Sequence, residues 1–416
     1  MKILWFEVTV PLGYSNENRV IAGWQDSLES IVKDKDDIEL YIAFRSIHEK
    51  SVVKKDNIEY HPMPISNSFL KKQLRSFSWK YEAKELLPQI IKLVDVVKPD
   101  LIHVFGCEWP YGLIAKYTKI PVVIHIQGSI VPYHNALLPP KYSNYTVYRN
   151  LFPDIVAICR RWRDFIKNQT RLKMEREIWQ VVSNYMGRTD WDFALSKIMH
   201  RGSRYFHVEE AIRTPFLISK KKWECPFSDN RILLVSVGVS SFWKGPDMMV
   251  KTAKVLREMK INFCWKVAGS LPKDIKKIVE YEEKTTFEDN NIELIGFKNP
   301  DELIDLLCSS TFLVHTAYIE NSPNSICEAQ CLGVPVISTN VGGISTLVRP
   351  GIDGLLVPAN DPWQMAYSIV SLAKDNKRMI EMSKATREHA LQRHKKDNIL
   401  FDLLNCYKTL IDEADK

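Results

Sequence analysis

The stretch Glu320-Asn321-Ser322-Pro323-Asn324-Ser325-Ile326-Cys327-Glu328-Ala329-Gln330-Cys331-Leu332-Gly333-Val334-Pro335-Val336-Ile337-Ser338-Thr339 decides the fold. An apolar run, Phe312 to Thr316, precedes it, and a second, Val334 to Ser338, lies inside it; both are short and bounded by turn residues, as strands are. Between them Ser322 is placed as a helix N-cap and Pro323 as a first helical residue, so the segment reads strand, loop, helix, strand. The amides of Asn324, Ser325 and Ile326 then open a helix, where the unpaired N–H groups and the dipole suit a phosphate.

Outward from this unit the same alternation continues almost from end to end, the pattern of doubly wound parallel sheets. In the first half the strand-like runs are Ile3 to Val10, Ile38 to Phe44, Leu101 to Phe105, Val122 to Gln127 and Val181 to Tyr185. In the second they are Leu233 to Val237, Cys264 to Ala268, Ile292 to Ile295, Phe312 to Thr316, Val334 to Ser338 and Gly354 to Val357. The polar, proline-containing run from Lys221 to Asn230 breaks the pattern and reads as a linker. The expected organisation is therefore an α/β chain of two Rossmann-like doubly wound domains, 1–220 and 231–395, facing each other across a cleft. A final segment, 396–416, carries Leu400, Phe401, Leu404, Tyr407, Leu410 and Ile411 at helical spacing and is expected to pack back toward the N-terminal domain. Ligands of such sheets sit at the carboxyl ends of the strands.

Composition narrows the class. The chain has 416 residues, 45% hydrophobic and 26% charged, which is a globular composition long enough for two cores. A net charge of +7 is too small at this length to indicate a nucleic-acid groove. Glu7 and Pro11 interrupt the apolar start, which reads as a first strand, and no run reaches the roughly 20 apolar residues of a membrane span. The expectation is a cytoplasmic protein, soluble or at most peripheral on the inner face of a membrane. Its eight cysteines show no metal-type spacing and read as reduced thiols.

Glu320 and Glu328, with Gly333-Val334-Pro335-Val336 after them, resemble the E-x7-E signature of family 4 retaining glycosyltransferases (glycosyl transferases group 1). The runs from Thr339 to Ile344 and from Gly351 to Pro362 also look like that family. The resemblance implies the two-domain GT-B fold and transfer of a sugar from a UDP- or GDP-sugar with retained configuration. It implies neither metal nor cofactor. Glu320 would then reach the transferred sugar and Glu328 the ribose. In the run from Ser236 to Gly245, Lys244 and Gly238 match family positions near the donor diphosphate, but Val239 stands where members usually have arginine. Arg188 is a candidate to supply the missing cation. In the first half, Ala22-Gly23-Trp24 stands at the family's double glycine, so Gly23 carries over and Ala22 departs. The blocks 98–104 and 120–128 match as well, with Gln127 at the usual histidine. Glutamine hydrogen-bonds a hydroxyl but cannot trade a proton. His125, two residues earlier, reads as a buried strand residue. The resemblance thus assigns Glu320, Lys244 and Gln127 to catalysis, and Glu328, Ser325, Asn324, Ile326, Gly23, Gly238 and Arg188 to donor binding.

Asp34-Lys35-Asp36 and Asp190-Trp191-Asp192 match a metal-holding tripeptide of another glycosyltransferase fold, but the first lies in a charged run and the second opens a helix. No metal is assigned. His389 and His394 read as solvated surface. Lys71, Lys72, Arg75 and Lys80 accompany Phe69, Leu70, Leu74, Phe77 and Trp79, a mixture suited to an anionic membrane surface. With that surface the expected acceptor is a glycan or polyprenyl-linked glycan of a bacterial surface-polysaccharide pathway, capsule or lipopolysaccharide. The departures at Val239 and Gln127 also admit a non-catalytic glycosyltransferase-like subunit, and the fold admits a nucleotide-sugar epimerase.

Overall fold

In the computed structural model, which describes residues 1–14, 23–47, 51–226 and 231–414, the alternation of short strands and amphipathic helices is realised as two units. The first comprises Met1–Pro132, Cys159–Ala211 and His394–Lys416; the second comprises Tyr133–Ile158 and Ile212–Arg393.

The first unit is built on eight strands: β1 Lys2–Glu7, β2 Glu39–Ser46, β3 Val53–Lys55, β4 Ile58–Pro64, β5 Leu101–Phe105, β6 Val122–His125, β7 Asn184–Gly187 and β8 Arg204–His207. Their order is β3-β4-β2-β1-β5-β6-β7-β8, parallel throughout except for β3 against β4. The central strands are buried on both faces, which is why β5 and β6 read as near-continuous apolar runs, interrupted only by the buried His103 and His125, rather than as alternation. Helix Trp79–Val97 covers one face with Leu86, Ile90, Val94 and Val97. Helix Lys396–Ala414 belongs to this unit and buries Ile399, Leu403, Tyr407 and Leu410. The Tyr407 hydroxyl there accepts from Trp5 Nε1 at 2.9 Å and lies 2.6 Å from His103 Nδ1.

The second unit carries β9 Ile232–Val237, β10 Phe263–Ala268, β11 Ile292–Gly296, β12 Phe312–His315, β13 Val336–Thr339 and β14 Gly354–Val357, all parallel, in the order β11-β10-β9-β12-β13-β14. The chain winds outward from β9 to β11, then returns to the centre and winds the other way from β12 to β14. The loops after β9 and β12 therefore diverge at one point of the sheet, where a crevice for ligands forms at the carboxyl ends of the strands.

Several expectations change. Val181 ends the helix Ile155–Val181, and the strand starts only at Asn184. The expected linker is not one over its described part: the Trp223 indole is buried and donates to the Ser310 carbonyl at 2.7 Å, and its amide donates to Leu332 at 2.9 Å. Burying an indole with its N–H satisfied ties this stretch into the second unit. The division falls at Ala211/Ile212 rather than at 220, and Tyr133–Ile158 joins the second unit instead of the first. Of the two late histidines His394 is not solvated, being buried with Nδ1 3.1 Å from the Glu210 carbonyl, whereas His389 is part-exposed with Nδ1 2.9 Å from the Asp353 carboxylate.

Candidate active site

The loop after β9 runs through Gly238 to Gly245 and the loop after β12 through Thr316 to Pro323. Two glycines fix how closely these loops and the next one approach. Gly245 has φ +70°, and a Cβ on it would lie 1.9 Å from the Thr316 carbonyl oxygen. Only glycine permits both that conformation and that contact. The Thr316 hydroxyl donates to the Lys244 carbonyl at 3.0 Å and the Tyr318 amide to that of Trp243 at 2.7 Å, stitching the loops together. On the other side Gly342, at φ +53°, lies so close to Glu320 that a Cβ would sit 1.9 Å from its carbonyl oxygen, and the Gly343 amide donates to that oxygen at 3.0 Å.

This packing brings the Lys244 ammonium and the Glu320 carboxylate into a direct ion pair at the switch point. His315, the last residue of β12, places Nε2 4.0 Å from Glu320 Oε2. Burial lowers its pKa to about 4, so it is a neutral imidazole at physiological pH. Nothing in the local sequence marks His315, because its role depends on which strand end faces the crevice.

The helix that follows is Asn324–Leu332, with Pro323 rather than Ser322 at the N-cap. Ile326 does not offer its amide, which donates to the Pro323 carbonyl at 2.9 Å in a tightened first turn. Asn324 and Ser325 are half-exposed at that end. Glu328 lies further along the same helix, 2% exposed, and both of its oxygens are taken by one guanidinium: Arg213 Nε to Oε1 at 2.6 Å and Nη2 to Oε2 at 2.7 Å. Burial raises the Glu328 pKa and the arginine opposes that rise. Arg213 stands 115 residues away in sequence, with no motif around it.

Gly238 adopts φ +75° with open space where a side chain would point. Val239, at the position of the missing arginine, is buried in the core of the unit. The structure thus groups Lys244, Glu320 and His315 at the switch point, with Glu328 bound to Arg213 on the helix beyond.

Gly23, Gln127 and Arg188 belong to the first unit, at the carboxyl side of its sheet. Gly23 opens the helix Gly23–Val32, while Ala22 lies outside the described residues. Arg188 is buried, pairs with Glu210 at 3.1 Å and stands 4.9 Å over the Trp24 ring, which gives it a structural role in this unit. His125 is buried against the edge of Trp24, and burial lowers its pKa to about 3. Gln127 follows β6 on a loop pinned by Glu175, which accepts from the Ser129 hydroxyl and from the Ile130 amide at 2.8 Å. Glu108, in the loop after β5, has its carboxyl pushed up to about 7 by burial and by the nearby Glu175. Of the metal-like tripeptides, Asp190-Trp191-Asp192 opens the helix Asp190–Met199, with the Asp192 carboxylate accepting from the Arg188 amide at 3.0 Å.

Two parallel-sheet α/β units, one with a lysine–glutamate pair at its switch point, define the class: the fold is that of the GT-B glycosyltransferases. The chain superposes on sucrose-phosphate synthase from Thermosynechococcus elongatus with a TM-score of 0.72 at 15% identity, over 99% of both chains. On HepE of Anabaena in complex with UDP-glucose the TM-score is 0.65 at 15% identity, again over 99% of both. The chain belongs to the glycosyl transferases group 1 family. The family model matches residues 218–389, and an uncharacterized glycosyltransferase of Methanocaldococcus jannaschii is 30% identical over 400 residues, 94% of this chain and 96% of that one. Against curated D-inositol 3-phosphate glycosyltransferases of Corynebacterium urealyticum and Salinispora tropica the match spans only 40% and 42% of their length.

Proposed function

We propose that the protein is a retaining, metal-independent glycosyltransferase. It would move a sugar from a UDP- or GDP-sugar to a glycan or lipid-linked glycan of a surface-polysaccharide pathway. The observation that carries this reading is the Lys244–Glu320 pair at the switch point, a cation suited to a diphosphate set beside a carboxylate suited to a sugar hydroxyl. HepE, which shares the fold, has been solved with UDP-glucose, and this favours a uridine nucleotide.

In the reaction the bond from sugar C1 to the diphosphate breaks, with its electron pair going to the phosphate oxygen. The acceptor oxygen bonds C1 on the same face, and its proton passes to the departing phosphate. The barrier lies in an oxocarbenium-like state with negative charge growing on the leaving group. Lys244 and the amides of Asn324 and Ser325 are suited to stabilise that charge, because their dipoles need not reorganise as it develops. Glu320 would hold a sugar hydroxyl. Members of the family differ in acceptor, and the exposed apolar and basic helix Phe69–Phe77 is the feature that favours a lipid-linked one.

Incubation with UDP-glucose, UDP-N-acetylglucosamine and GDP-mannose, in EDTA, tests the reading. Slow nucleotide release with the configuration retained by proton NMR is expected from at least one donor. Release that stops in EDTA and returns with manganese, or interconversion of the free donor, would defeat it.

A further inference from the structure

Helix Trp79–Val97 has more apolar surface than its sheet covers. Leu86, Ile90 and Val94 pack into the core of the first unit. A second stripe, Ala83, Leu87, Pro88 and Ile91, recurs at the same helical spacing on the neighbouring face and stays half-buried or exposed. This stripe is one wall of a groove of about 570 Å³, within the range of small-molecule sites. Leu113 contributes from the short helix Pro110–Lys116, and Thr170, Lys173 and Met174 of the helix Ile155–Val181 form the opposite wall. From Lys80 to Ile91 the groove follows the helix for about 16 Å. All these lining residues belong to the first unit.

Charge is gathered at one end. The Thr170 hydroxyl accepts from the Trp79 amide at 2.9 Å, which sets the register of the two helices there. Lys80, Lys84 and Lys173 lie in the turns that follow, all exposed and without an ion-pair partner among the described residues. Glu177, on the same wall as Lys173, is paired with Lys116. A ligand for this groove therefore needs a negative head and an apolar tail. Lysines are point cations on flexible stems, suited to a phosphodiester without fixing its orientation.

We propose that the groove holds one acyl chain of an anionic phospholipid, its phosphodiester among Lys80, Lys84 and Lys173 and its chain along Leu87, Ile91 and Leu113. The lipid comes from a bilayer surface, because the lysine end continues from helix Phe69–Phe77, where Phe69 and Leu70 stand exposed beside Lys71 and Lys72. Such a chain covers the apolar stripe that the core leaves open. The proposal uses no residue of the Lys244–Glu320 site and is independent of the sugar transferred.

The test is calorimetric titration of the full chain with lysophosphatidylglycerols of 6 to 14 acyl carbons, below their micelle concentrations, beside lysophosphatidylcholines of the same lengths. Each added methylene should tighten binding about fourfold until the chain outgrows the groove, and then add nothing. The phosphatidylglycerol head should be preferred over the phosphatidylcholine head, and Lys80→Gln with Lys84→Gln should reduce that preference by about fivefold for each lysine. Ala83→Trp, which fills the groove, should remove the dependence on chain length. Should it fold poorly, Lys173→Glu, at an exposed position, should abolish the head preference while keeping the dependence on length. Affinity that rises with every carbon without a plateau would mean adsorption to open surface and overturn the proposal. So would equal binding of the two heads, or no binding of either series, which would leave the groove to a protein partner.

Discussion

Lys244 and Glu320 form a direct ion pair, and their roles should separate on a donor, the cation going to the phosphates and the carboxylate to the sugar. Lys244→Ala is expected to lower kcat by about 100-fold, in the range seen when one preorganised electrostatic contact to a developing charge is removed. Glu320→Ala should lower kcat more than nucleotide affinity. Steady-state kinetics beside nucleotide titrations check both, and equal losses in the two quantities for Glu320→Ala would contradict its placement on the sugar. A pH effect on stability follows from His125, whose pKa falls from the usual 6.5 to about 3, first through burial and then through the nearby Arg188 charge. His103, buried beside it, is lowered as well. A folded-state pKa below the unfolded one means the neutral form is favoured by folding, so this stability is intact above pH 6.5 and drains away as pH falls toward 3. Thermal melting should show Tm dropping across that window, with a shallower drop in His125→Phe; identical slopes would refute the assignment.

At the level of elements, legibility followed locality. Strand β14 at Gly354–Val357 and the strand–loop–helix run through Glu320 could be read directly, because their apolar residues and turn residues alternate over a few positions. Strand β4 was missed because His61, Pro62 and Pro64 disguise it; its prolines are tolerated with only the short β3 beyond it. Arg213 and His315 could not be read at all, since each gains its meaning from a partner brought near by the sheet. Helix Phe69–Phe77 shows the mixed case. Phe69 and Leu70 are 78% and 69% exposed beside exposed Lys71 and Lys72, as a membrane-facing segment requires. Arg75, however, is buried against Glu85 at 2.9 Å and Trp79 is buried too, so neither is available to lipid. The nearby Trp162 and Phe165 are exposed instead, with Trp162 6.3 Å from Phe77. Co-sedimentation with vesicles of phosphatidylglycerol but not phosphatidylcholine is expected, weakened by Lys71→Gln with Lys72→Gln and by Phe69→Ser with Leu70→Ser. Each basic residue near such a surface contributes about 1 kcal/mol, so the binding should weaken with salt. Binding indifferent to lipid charge would remove the membrane from the proposed function. No helix among the described residues is long and apolar enough to cross one.

Over the whole molecule, neither unit is a continuous piece of chain. Tyr407 holds the first unit together from the far end of the sequence, and Tyr407→Phe would leave the Trp5 indole N–H buried without its acceptor. A cost of about 1 to 3 kcal/mol is expected, read as a lower denaturation midpoint. An unchanged midpoint would show that the Tyr407 hydroxyl contributes nothing net. The same arrangement has a consequence in time. A ribosome adds roughly 5 to 20 residues each second and domains usually close in the order they emerge. Here the second unit has all its residues once Arg393 is out, while the first still awaits the helix Lys396–Ala414. The unit that holds residues 1–132 is therefore the one that closes last, and until then Trp5 and His103, on one face of its central strands, lack the cover that Tyr407 gives them.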